Sequence, residues 1–174
     1  AGAEVVVAPA PVTESAGGAG IAVAPRISAD GRWVVFSSEA GNLVAADGNH
    51  QPDVFLRDRA TGSTRLISRA HGRTDSADGV SLAPDLTPDG RFIVFQSTAQ
   101  NLVNPGPVPS VGGRPLSRIY RYDRELDELR LIDVHRPVDD SFPFFLFLRT
   151  LTNTVRDLVS PVISSDGQRV LFTT

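Results

Sequence analysis

The segment of this chain best equipped for chemistry is Asp47-Gly48-Asn49-His50-Gln51-Pro52-Asp53. Asp47, Asn49 and Asp53 place three oxygen-bearing side chains within seven residues, and glycine allows the tight curl that would turn them toward one point. Hard oxygen donors so spaced suit calcium. The segment lacks the bidentate glutamate and the length of an EF-hand loop, and capping of a turn by the same side chains accounts for them without a metal. Other constellations are thinner. His50, His71 and His135 are scattered along the chain with no pairing at ligand spacing, which argues against zinc. Gly79-Val80-Ser81-Leu82-Ala83 echoes a nucleophile elbow, but it leads into a strand instead of a strand-to-helix turn, so Ser81 reads as an ordinary strand serine. No catalytic constellation emerges.

A second chemical anomaly is Ser141-Phe142-Pro143-Phe144-Phe145-Leu146-Phe147-Leu148, where four of the nine phenylalanines, Phe142, Phe144, Phe145 and Phe147, fall within six residues. Exposed, they would form a surface for a protein partner. Folded back, they would plug a gap in the core. The segment 150–158 that follows can extend this connection as a short helix.

The elements that must position these residues come from repetition. SADGRWVVFSSEAGNLV at 28–44 returns as TPDGRFIVFQSTAQNLV at 87–103, and its first half returns as SSDGQRVLFTT at 164–174. Ser28, Asp30, Gly31, Arg32, Phe36 and Asn42 find partners 59 positions on, in Thr87, Asp89, Gly90, Arg91, Phe95 and Asn101. After that the offset grows to 65, pairing DVFLRD at 53–58 with RIYRYD at 118–123, and the proline- and glycine-rich NPGPVPSVGGRP at 104–115 marks the insertion as a surface loop. A unit that cannot bury its own faces must stack on copies of itself.

Each full unit holds four short apolar runs separated by turn residues, with Asp30-Gly31 and Thr61-Gly62 suited to the left-handed conformations of hairpins. Strands are expected near 26–28, 32–38, 53–58, 64–68, 83–87, 91–97, 117–123, 129–133, 160–164 and 169–174. In RWVVF and RFIVF the apolar residues do not alternate with polar ones, so both sheet faces should be covered. The expected fold is therefore all-β, a β-propeller of four-stranded antiparallel blades with about two and a half blades present. Its divisions would be a preceding outer strand and linker at 1–19, blades at 20–68 and 79–133, a long connection at 134–159, and two strands of a further blade at 160–174. Trp33, Val35, Phe36, Phe55, Phe92, Val94, Phe95, Tyr120, Leu171 and Phe172 should be buried between blades. Asp30, Asp89 and Asp166 should cap the hairpin turns through bonds to nearby amides. The run from Ser28 to Trp33 is similar to the Asp-box of sialidases, but one residue short between aspartate and aromatic.

The pattern Pro-x-Ile-Ser-x-Asp-Gly-Arg-aromatic-Val-x-Phe, followed by DVFLRD, Thr-Gly and RLIS, resembles the TolB-like β-propeller repeat, a WD40-like repeat of bacterial secreted and periplasmic proteins. The resemblance covers about 20–174. It implies a propeller and an exported protein, and it leaves function open, since such propellers serve as binding scaffolds, as subunits of envelope machines and as accessory domains of hydrolases.

Propellers need roughly four to eight blades to close. The expectation is that the chain is part of a longer one, or that further copies or a protein partner complete the ring. Composition is compatible with export. All 17 basic residues are arginine, cysteine is absent, so no disulfide forms, and Ala1-Gly2-Ala3 resembles the end of a signal peptide. No apolar stretch reaches the roughly 20 residues of a membrane helix. A formal charge of −3 spread along the chain argues against a nucleic-acid surface. Two functions follow: a non-catalytic scaffold or binding module for protein or ligand, or the propeller part of a peptidase or glycosidase whose active site lies elsewhere.

Overall fold

Stacking of like units is what the chain does. The computed structural model describes residues 23–104, 110–111, 114–132 and 159–173. β1 (Val23–Ile27), β2 (Trp33–Ser38), β3 (Asp53–Asp58) and β4 (Ser63–Leu66) form one antiparallel sheet in chain order. β5 (Ser81–Leu86) and β6 (Phe92–Ser97) begin a second. The insertion at 104–115, expected as a loop, contributes a two-residue hairpin of β7 (Ser110–Val111) and β8 (Arg114–Pro115). β9 (Arg118–Asp123) and β10 (Glu128–Leu131) complete the second sheet in the order β5-β6-β9-β10. β11 (Val159–Ile163) pairs with β12 (Val170–Thr173) to open a third.

Each sheet is a meander whose first strand packs on its neighbour: β5 lies against β1, β2 and β3, and β11 against β5 and β6. This is the radial stacking of propeller blades, two whole and one half. The first strand of each blade carries a register shift, between Val23 and Arg26, Leu82 and Asp85, and Val159 and Val162. Pro25, Pro84 and Pro161 sit at the three shifts. A proline cannot donate to the ladder, so the bulge absorbs it. The strand expected at 83–87 accordingly starts earlier, at Ser81, and Ala83 takes a positive φ of 51° beside the bulge.

The core runs through the blades as one body. Val35, Phe55, Ile93, Val94 and Phe95 are fully buried, and Tyr120 nearly so. Ile93, Val94 and Phe95 are consecutive and all inaccessible, which is the two-faced burial expected of RFIVF. Equivalent ring pairs stack in each blade, Phe36 on Phe55 at 5.7 Å and Phe95 on Tyr120 at 5.8 Å. Trp33, Phe36, Phe92 and Phe172 are half-buried. Leu171 departs from expectation at 74% exposed. It pairs with Val162, also exposed, on a face that no described strand covers. Phe142, Phe144, Phe145 and Phe147, the short helix at 150–158, the strand at 1–19 and His135 lie outside the described residues.

Candidate functional site

Two polar systems run through the blades, one that repeats and one that does not. The repeating one is the hairpin between the first two strands. Ser28 Oγ donates to Asp30 Oδ1 at 2.5 Å and accepts the Trp33 N–H at 2.9 Å, while Asp30 Oδ1 also takes the Arg32 N–H at 3.0 Å. Thr87 and Asp89 reproduce each of these bonds in the second blade, as do Ser164 and Asp166 in the third. The hydroxyl donor, then the backbone amide, hold all three carboxyls below the usual carboxylate range. Gly31, Gly90 and Gly167 close the turns at φ near 70°, a conformation that costs a residue with a Cβ. These aspartates are turn caps.

Two further parts of this system were not anticipated from sequence. Arg32 grips Asp58 through Nε (3.0 Å) and Nη2 (2.8 Å), and Arg91 grips Asp123 in the same way (3.2 and 2.9 Å). The arginine holds each aspartate below its ordinary titration range. The signal was present, since Arg32 and Asp58 recur as Arg91 and Asp123 at the two offsets of the repeat. The other part joins blades. Trp33 of the first blade lies under Gly90 of the second, and Phe92 of the second under Gly167 of the third. Arg32 and Arg124 flank the Trp33 ring at 4.7 and 4.3 Å, and Arg91 and Arg121 flank Phe92 at 4.8 and 4.9 Å. The Ala29 N–H donates to the Pro88 carbonyl across the same junction at 2.7 Å.

The non-repeating system is the segment 47–53. Asp53 opens β3 and is fully buried; its Oδ1 accepts from Ser68 Oγ and its Oδ2 from Asn49 Nδ2 at 2.8 Å. Asn49 Nδ2 donates also to the Ala77 carbonyl at 2.8 Å, and Asn49 Oδ1 accepts the Gln51 N–H at 2.8 Å. Asn49 thus folds the loop as an Asx turn and ties it to the link between blades. His50 takes a φ of 57° and projects outward. Asp47 is 7% exposed, and neither carboxylate oxygen accepts a hydrogen bond of good geometry, although Ser76 and the Asn49 amide lie near enough to temper its titration. Burial raises Asp47. Burial, with the charge on Asp47 added, pushes Asp53 up to about 6 against the opposing bonds from Ser68 and Asn49. The structure therefore buries Asp47 and Asp53 on one loop and uses Asn49 to brace Asp53. Among the described residues no three histidine, cysteine, aspartate or glutamate side chains converge.

Ser81 is inaccessible, and its Oγ donates to Ser97 Oγ at 2.9 Å, which binds it into the sheet. Gly79, in the same segment, lies against the Ala99 backbone. His71 stands exposed beside an open groove lined by Arg69, Arg73, Tyr122, Asp127 and Glu128. The ionic groups there are already engaged: Arg69 with Asp127, Arg73 with Asp75, and the Tyr122 hydroxyl with Asp127 at 2.6 Å. Among the described residues no helix is long and apolar enough to cross a membrane.

No protein-family model and no curated protein matches the sequence. Among solved structures the chain is similar to TolB from Acinetobacter baumannii, at 17% identity and a TM-score of 0.47 over 89% of this chain and 27% of that one. It is similar also to a putative TolB from Agrobacterium tumefaciens, at 23% identity and a TM-score of 0.40 over 64% of this chain and 33% of that one. The tricorn protease matches at 14% identity and a TM-score of 0.47, over 87% of this chain and 11% of that one. The chain spans a third or less of the length of each of these proteins.

Proposed function

We propose that this chain is a non-catalytic β-propeller module of an exported bacterial protein, a scaffold whose blades present surfaces to a protein or ligand. The observation that supports it most is where the polar side chains are spent. The Ser/Thr-Asp turns, the Arg–Asp grips and the arginines over Trp33 and Phe92 all hold strands to strands or blades to blades, and Ser81 is bonded inside a sheet. A nucleophile needs an accessible base and room for a reacting atom, and Ser81 has neither. Val162 and Leu171 add an outward apolar face of the kind that blades use to stack.

The purified chain should show no turnover of chromogenic peptide or glycoside substrates above buffer. Activity that disappears in a Ser81→Ala variant of unchanged stability would overturn the non-catalytic reading. Export is tested by fractionating the producing bacterium. Recovery of the protein in the cytosolic fraction alone would remove that part.

A further inference from the structure

A buried carboxylate without a well-formed hydrogen bond is costly to a small β-protein, because its charge has left water and little replaces the lost bonds. Asp47 is such a group: 7% exposed, with both oxygens shielded and neither accepting a hydrogen bond of good geometry. A second carboxylate, Asp53, lies fully buried on the same loop, held through Asn49 to the Ala77 carbonyl of the link between blades. Two carboxylates on one buried loop repel, the Ser68 hydroxyl and the Asn49 side-chain amide are taken by Asp53, and Asp47 is left with the Ser76 side chain and the Asn49 main-chain amide, neither in good hydrogen-bond geometry. The repeat does not require this arrangement in order to fold. The second blade has Arg118 at the position of Asp53, and NPGPVPSVGGRP follows Val103 where the first blade carries the acidic loop.

We propose that Asp47 and Asp53 together bind a hard divalent cation, calcium, which pins the 47–53 loop of the first blade to the 76–77 link leading into the second. The donors are carboxylate oxygens, which suit a hard cation. Calcium tolerates irregular coordination completed by main-chain carbonyls and water, so two carboxylates on a curled loop meet its needs better than those of magnesium, which demands near-ideal octahedral geometry. Asn49 is the positioning residue: it holds Asp53 Oδ2 and the Ala77 carbonyl with one amide group. The cation supplies the positive charge that the pair lacks.

The test is thermal unfolding and calorimetric titration of the whole chain with calcium chloride, after exhaustive chelation. Calcium should bind once per chain and raise Tm by on the order of 5 °C at a hundred-fold excess over Kd, with a smaller rise for magnesium. Asp47→Asn keeps the side-chain shape and removes the charge, so it should weaken binding at least about ten-fold, the cost of one strong ligand. Glu39→Gln, exposed in the preceding loop, should respond as the wild type does. If Asp47→Asn fails to fold, Asp53→Asn carries the same comparison, and if neither folds the wild-type titration decides. A wild-type chain with neither heat nor shift overturns the proposal, and so does a shift that survives intact in Asp47→Asn, since calcium would then sit elsewhere.

Discussion

Gly90 answers two demands at once, and neither alone shows its importance. Its φ of 68° strains any residue with a Cβ, and a Cβ there would come within 2.5 Å of Trp33 Cδ1. The ring cannot retreat easily, because Arg32 and Arg124 flank it. Gly90→Ala should therefore cost about 2–4 kcal/mol, combining left-handed strain with overpacking, read as a lower urea midpoint at unchanged slope. A loss below about 0.5 kcal/mol would show that the turn and ring move apart freely. Asp58 makes the second prediction at this scale. Arg32 depresses its folded pKa, so its contribution to stability is complete above the unfolded carboxylate value near ~4 and is lost as pH falls below it. An Asp58→Asn chain should be less stable than wild type at neutral pH, and the gap should narrow steadily as the pH falls below the ordinary carboxylate range. A gap independent of pH would mean that the grip acts by shape and not by charge.

At the scale of elements, what could be read from sequence was whatever repeats within a blade. The three copies of the repeat located ten strands to within a few positions, and the Asp-Gly turns told which side chain caps them, because both are local and both recur. Bulges at Pro25, Pro84 and Pro161 were equally local, since proline must leave the ladder, yet hydrophobic pattern alone does not show a register shift. The Trp33–Gly90 and Phe92–Gly167 contacts were hidden for a different reason. They depend on the angle at which one sheet crosses the next, and no periodicity along the chain encodes it. The burial of Asp47 and Asp53 on one loop was half legible: spacing named the residues, whereas only packing reveals that Asp47 is shielded from water without a well-formed hydrogen bond. Trp33→Ala tests the inter-blade contact as an element-level hinge. It should cost roughly 2–4 kcal/mol, less than a fully buried ring because Trp33 is half-buried, and it should uncouple the blades, so that unfolding followed by near-ultraviolet circular dichroism and by far-ultraviolet circular dichroism no longer coincides. Coincident curves at reduced stability would place Trp33 within a single cooperative core.

Among the described residues the blades pack in series, the second against the first and the third against the second, so an outer face should behave as the inner ones do. β5–β6 accepts β11 on one side and the first blade on the other, whereas Val162 at 51% and Leu171 at 74% exposure leave an apolar pair open on the outer side of β11–β12. Ile27, at 57%, is exposed on the first blade. A face of this kind fits another sheet of the same repeat, because the contact already formed between neighbouring blades is the one it would extend. In a solution of the isolated chain, the sheet available is that of a second copy. Light scattering should then show concentration-dependent association, and replacing Val162 and Leu171 together by aspartate should return the chain to a monomer without lowering its urea midpoint, since exposed side chains contribute little to folding. A wild-type chain that stays monomeric as its concentration rises would refute association through this face. A double variant that loses stability would show instead that Val162 and Leu171 are packed within the folded chain.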